Sequence, residues 1–315
     1  MIRITALFII LFLLTGCRKE RISVNWIEQE SNTDYLLSSV YFYDELEGYA
    51  VGGDSWYYGV ILHTIDGGTT WQADSLSDKF HWGLQADQDQ NLYTTGINGY
   101  LFDLAKDSTD WRFHRIPHWG IMRDVAFYDH QRGVLVGGEA FKSGYIVSMK
   151  ADFKMDTLIL TENDLNAVCF SDSTTVHTVG YGAVLRSLDT GKTWTKQVVP
   201  DDYYRSVCFP TSQTGYAVGA TGAIIKSVDA GENWQVLRDG DDLLVKDIPF
   251  RSVFFVDAEK GYLVGDKGTF WRTLDGGSSW QIIRDLPKIN FYDVFVVDNK
   301  GWIVGEGGRV FSFMD

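Results

Sequence analysis

Along most of the chain, apolar residues fall in short alternating runs cut by Gly, Asp and Ser. The stretch Tyr204 to Trp234, YRSVCFPTSQTGYAVGATGAIIKSVDAGENW, shows the unit in full. Ser206-Val207-Cys208-Phe209 ends in a polar turn at Gly215. Tyr216-Ala217-Val218-Gly219 then leads through a tight glycine turn into Ala223-Ile224-Ile225-Lys226, and the unit closes on Ser227 to Trp234. Short β-prone runs separated by turn residues predict the antiparallel strands of a meander. One meander cannot bury both of its faces, so it needs copies of itself as neighbours.

The copies are present. The closing octet recurs as Thr64 to Trp71, Ser187 to Trp194 and Thr273 to Trp280; Trp194 and Trp234 are 40 residues apart, Trp234 and Trp280 46. A period of roughly 40 to 50 residues with about four strands each predicts an all-β fold, a β-propeller of four-stranded antiparallel blades. Repeats begin near Ser38, Trp82, Arg123, Asn166, Arg205, Arg251 and Tyr292, which makes seven blades. Second-strand markers such as Val51-Gly52, Thr95-Gly96 and Val136-Gly137 stand in register with them. The box has decayed in repeat two (Asp103 to Asp110) and is missing from repeat three, and the turns Gly53 to Gly59 and Gly138 to Gly144 are enlarged. The last repeat, Phe291 to Asp315, has three strands only, while Ile22 to Glu28 reads as a fourth strand with no meander of its own. The N-terminal strand is therefore expected to complete the last blade and close the ring, which removes exposed sheet edges.

The octet resembles the Asp-box, or BNR repeat, of sialidases and sortilin-type receptors. The fuller pattern GYAVG–G–I–SVDAGENW is more similar to the photosystem II stability and assembly factor family, which has many relatives in non-photosynthetic bacteria. That resemblance covers nearly the whole chain after about residue 25. It implies a propeller scaffold that holds a partner protein during assembly or quality control. Within each box, Asp66, Asp189, Asp229 and Asp275 are expected to satisfy turn N–H groups, and Trp71, Trp194, Trp234 and Trp280 to pack between blades. These are folding devices.

The start of the chain adds a location. Met1-Ile2-Arg3 precedes an apolar run to Leu14, then Leu14-Thr15-Gly16-Cys17. A basic start, a short apolar core and small residues at the cut describe a signal peptide, and the last four residues resemble a bacterial lipobox. Residues 1–16 are read as the signal, 17–21 as a tether acylated at Cys17, and 22–315 as the propeller. This would be a cell-envelope lipoprotein held to the membrane by its acyl chains. The formal charge of −14 argues against nucleic-acid binding, which needs a basic surface. Cys169 and Cys208 sit at equivalent places in adjacent repeats, point the same way and are expected to be unbridged, buried apolar residues.

The candidate site lies on the face that carries the loops between blades. Just before each innermost strand the chain reads Ser38, Trp82, Arg123, Asn166, Arg205, Arg251 and Tyr292. Three Arg at equivalent positions should converge on the channel mouth, where guanidinium groups bind carboxylates and anchor interfaces. The resembled assembly-factor family also carries an Arg-rich patch, which implies a partner-binding role for Arg123, Arg205 and Arg251. The competing reading is local pairing with Asp124, Asp202 or Asp247. Trp119, Tyr204, Trp56, Tyr57 and Phe141 add aromatic surface to the same face, with about half of its aromatics expected only to plug gaps between blades. The alternative function is glycan binding or cleavage. Arg115-Ile116-Pro117 matches part of a sialidase motif, but it follows Trp111 instead of preceding the first box, and no spacing isolates the required carboxylates. His114 and His118 are roughly 13 Å apart on a strand, too far to share a metal. No metal or cofactor is expected.

Overall fold

The computed structural model describes residues 24–54, 58–74, 77–242 and 248–315. Its strands form seven four-stranded antiparallel sheets, the blades of a seven-bladed β-propeller. The innermost strands of blades 1 to 7 are Leu36–Phe42, His81–Ala86, Met122–Asp129, Leu165–Phe170, Tyr204–Cys208, Phe250–Phe255 and Phe291–Val297. Blade 5 continues outwards through Gly215–Gly219, Ile224–Ser227 and Gln235–Arg238. Second strands such as Gly215–Gly219 and Gly261–Gly265 are buried along their whole length. A strand covered on both faces reads as a continuous apolar run, which is why Ala, Val and Gly dominate these segments. The core is accordingly divided into layers between blades, one of them built from Tyr216, Val218, Phe250, Val253, Phe255 and Leu263.

The glycine that ends each second strand has a steric cause. A Cβ on Gly52 would stand 1.9 Å from the Leu36 carbonyl oxygen, on Gly137 1.9 Å from that of Ile121, and on Gly180 2.0 Å from that of Asp164. The same carbonyls accept hydrogen bonds from the residue after the glycine, as in Gly138 to Ile121 and Tyr181 to Asp164. Only a residue without a side chain permits this approach.

Four Asp-boxes share one hydrogen-bond pattern. In the first, Thr64 Oγ1 donates to Asp66 Oδ1 at 2.9 Å and accepts from Gly68 N, while Thr70 N and Oγ1 donate to the two Asp66 oxygens at 2.8 and 2.6 Å. Ser187-Asp189-Thr193, Ser227-Asp229-Asn233 and Thr273-Asp275-Ser279 repeat it. Hydrogen bonds from Thr70 and Asn233 lower the Asp66 and Asp229 carboxyls below the usual range. Trp71 is buried, and its ring meets Phe42 edge-on at 5.9 Å. Blade 2 replaces the box with an ion pair: buried Asp103 holds Arg112 and His114 of the outer strand Arg112–Arg115. Blade 3 uses a tight turn at Ala151–Phe153 that feeds an eight-residue outer strand, Lys154–Thr161.

The ring closes through its two ends. Asn25–Gln29 pairs with Val310–Met314 and becomes the outermost strand of blade 7, with Asn25 opposite Met314 and Gln29 opposite Val310. Arg309 clamps Glu28 through one guanidinium edge, Nε and Nη2 donating to the two carboxylate oxygens at 2.5 and 2.7 Å, and Ser31 Oγ donates to the Gly308 carbonyl. Deleting residues 24–30 should open blade 7 and lower the midpoint of thermal unfolding, read by circular dichroism, by at least about 5 °C, since a few kcal/mol moves a domain of this size by that much. An unchanged midpoint would refute closure as a source of stability.

Candidate functional site

Each innermost strand carries a register shift at its inner end, and the residue at each shift is one of the seven predicted. The shifts fall between Leu37/Ser39, His81/Gly83, Met122/Asp124, Leu165/Ala167, Tyr204/Ser206, Phe250/Ser252 and Phe291/Asp293. They leave Ser38, Trp82, Arg123, Asn166, Arg205, Arg251 and Tyr292 unpaired. A bulge re-aims the extra residue's side chain. All seven line one central cavity of about 750 Å³. They therefore lie within the innermost strands, not just before them as expected from sequence, and the bulges are what bring them together.

The three Arg differ in their partners. Arg123 Nη1 donates to Asp164 Oδ2 and Asn166 Oδ1, both at 2.6 Å, and to the Tyr203 hydroxyl at 2.8 Å. Asp164 is fully buried and also accepts from the Phe141 backbone N–H. Arg251 is ion-paired with Asp266 and lies 4.1 Å over the Tyr292 ring. The expected neighbours Asp124 and Asp202 are thus not the partners, because both turn to backbone N–H groups; Asp247 lies outside the described residues. Arg205 has no carboxylate within ion-pair reach among the described residues, and its buried Nη1 has no hydrogen-bond partner. Burial first, and then the neighbouring Arg251, lowers its pKa. It lies over the Tyr203 ring at 5.9 Å.

Two carboxylates sit deeper in the channel, and sequence reasoning missed their role. Asp124 Oδ2 accepts from Val168 N of blade 4 and Oδ1 from its own neighbour Val125 N, each at 2.9 Å, with Gln85 Nε2 donating to both oxygens. Asp293 accepts from Val40 N of blade 1 and from the hydroxyls of Ser39 and Ser252. Ser206 Oγ accepts from Val253 N in the same way. These side chains staple one blade's channel-facing backbone to another. These donors hold the oxygens of both carboxylates in place. The signal available in sequence was the residue after each mouth position, which reads Ser39, Asp124, Ser206, Ser252 and Asp293 in five of the blades.

The aromatic residues divide. Phe141 is exposed and meets Tyr203 and Tyr181 at 5.1 and 5.4 Å, beside the Arg123 cluster. Trp82 is half-buried against Phe80. Trp119 is exposed, but away from the cavity wall, where it stacks with Arg115 at 5.0 Å. Tyr204 corrects an expectation: it is wholly buried, its hydroxyl donating to the Pro200 carbonyl, and offers no surface. Cys169 and Cys208 are unbridged and pack against the hydrophobic core as expected, but they are only half-buried and also line the channel wall. Cys17, Trp56 and Tyr57 lie outside the described residues.

Residues 230–314, which take in blade 6 and the three C-terminal strands of blade 7, match the family model described as photosynthesis system II assembly factor YCF48. Among solved structures, the one titled "YCF48 bound to D1 peptide" is 18% identical, covers 93% of this chain and 98% of its own, and has a TM-score of 0.69. YCF48 from Cyanidioschyzon merolae is 15% identical over 92% of this chain and 98% of its own, at 0.68. The WD40 propeller domain of Doa1 is 14% identical over 93% and 97%, at 0.71. No curated protein sequence matches the chain. The fold is that of a YCF48-like β-propeller.

Burial, and to a lesser extent the charge of Asp293, push the Asp124 carboxyl up to about 7 against the pull of its N–H donors. An unfolded Asp titrates near 4, so between about pH 4 and 7 the folded state binds the extra proton. Stability from this group is then greatest at the acid end and declines as pH rises through the window. Urea unfolding at pH 4.5 and 7.5 should show that decline in the wild type and a smaller one in Asp124→Asn; equal slopes would show that Asp124 is ionised throughout.

Proposed function

We propose that this protein is a lipid-anchored scaffold of the bacterial cell envelope. Its channel-mouth face holds a partner protein during assembly or quality control, without chemistry of its own. The observation that carries the reading is Arg205. Half-buried, beside a second Arg and with no ion-pair partner of its own among the described residues, the Arg205 guanidinium is eased only by Asp266 beyond ion-pair reach and is unfavourable in the free protein. An incoming carboxylate supplies the missing partner in bidentate geometry. Arg123 and Arg251, already neutralised, frame that position, and Phe141 with Tyr203 gives the aromatic contact that anchors interfaces. The YCF48 structure with its D1 peptide supports the reading, since a propeller of this fold there binds a segment of another protein. The acidic remainder of the surface disfavours nucleic acid.

Two substitutions separate docking from folding. Arg205→Ala should leave the unfolding midpoint unchanged or higher, because it removes an uncompensated charge, while abolishing recovery of the partner from crosslinked envelopes. Arg123→Ala should destabilise by roughly 3 kcal/mol, because Asp164 is left buried and unpaired. Undiminished partner recovery with Arg205→Ala would exclude the mouth as the docking site, and enrichment of polysaccharide in place of protein would favour the glycan alternative. Acylation at Cys17 is tested separately. Cys17→Ser should move the protein from the membrane fraction to the soluble fraction on sedimentation; retention in the membrane would place the anchor elsewhere.

A further inference from the structure

Blade 3 has the one long outer strand among the described blades. Lys154–Thr161 spans eight residues, against two to five for the outermost strands of the other six. It lies at the edge of its sheet, so among the described residues its outward backbone groups have no strand to pair with. Two devices usually blunt such an edge, and both are confined to its first half. Asp156 stands at a register shift, and it draws Lys150 and Lys192 to within 3.3 and 3.8 Å. The second half, Thr157-Leu158-Ile159-Leu160-Thr161, is regular, pairing residue for residue with the strand inside it. Leu160 is 74% exposed and Leu158 41%.

That second half is a palindrome. Paired antiparallel with itself about a twofold axis at Ile159, it sets Thr157 against Thr161, Leu158 against Leu160 and Ile159 against Ile159. Side chains on one face of such a pair are direct neighbours, so the four exposed leucines of two chains would cover one another. The ends also match. Exposed Glu162, which has no ion-pair partner among the described residues, falls opposite Asp156 of the other copy, where Lys150 and Lys192 leave a net positive group. From the free edge, the palindrome and this charge match we infer that the outer strand of blade 3 docks a second copy of this chain, forming an eight-stranded sheet across a twofold axis. An interface of this kind is isologous and closes at two subunits.

The register makes the test specific. Opposed Cα atoms in an antiparallel pair lie about 5 Å apart, within disulfide range, whereas Thr157 would be about 13 Å from its own copy, four residues out of register. In the full-length chain in detergent, treated with copper phenanthroline, Ile159→Cys should form a covalent dimer well above the wild-type background and Thr157→Cys should not. Leu160→Lys, at an exposed position that leaves the fold intact, should weaken the dimer seen by sedimentation at least about tenfold, since it would bury two charges in an apolar contact. A wild-type monomer at all concentrations, or equal crosslinking at positions 157 and 159, would overturn the inference.

Discussion

Seven sheets meeting at one axis leave seven innermost strands with an edge that no further strand can pair. Buried N–H groups on that edge must still find acceptors, and the chain supplies them from the blade next door or across the channel. Asp293 reaches Val40, Asp124 reaches Val168, and Ser206 reaches Val253. The bulge at the start of each strand serves the same end. It lets the strand turn towards the axis while the backbone carbonyl before it closes on the glycine of the second strand. A single geometric demand thus accounts for the glycine signature, the buried carboxylates and the ring of side chains at the channel mouth.

That ring is electrostatically uneven. Arg123 and Arg251 are each matched by an acid, so they act as hydrogen-bond frames more than as charges. Arg205 is left as an unneutralised cation in a protein of formal charge −14. Low-dielectric walls concentrate the field of such a charge at the opening.

Much of this was written in the sequence, because propeller repeats are local. Val218-Gly219 and Ser227 to Trp234 carry strand, turn and steric requirement within thirty-one residues, and equivalent positions in other repeats located the seven mouth residues. What sequence did not show depends on distance or on an inserted residue. Asp164 pairs with Arg123 across 41 positions and from the loop before blade 4, so no spacing announces it. Tyr204 and Arg205 are adjacent, yet one is buried and the other faces the channel, because the bulge falls at Arg205 itself, between the paired Tyr204 and Ser206. Period-two alternation predicts the direction of a side chain only where the register is unbroken. The outer strand of blade 3 was hidden for the opposite reason: it departs from the repeat, and pattern matching discards departures.

The pairing of Asn25 with Met314 also governs the order of events as the chain matures. The strand Asn25–Gln29 has its partner 281 to 289 residues later in the chain, and contacts at such separation are slow to form. Until Val310–Met314 is available, the opening strand has no neighbour and the six preceding blades form an open arc. Any chain ending short of that segment carries two unmatched edges and cannot conceal them. The pairing therefore sets when the ring can form: with Val310–Met314 in place the sheet edges are matched, and without that segment they stay open to any other strand.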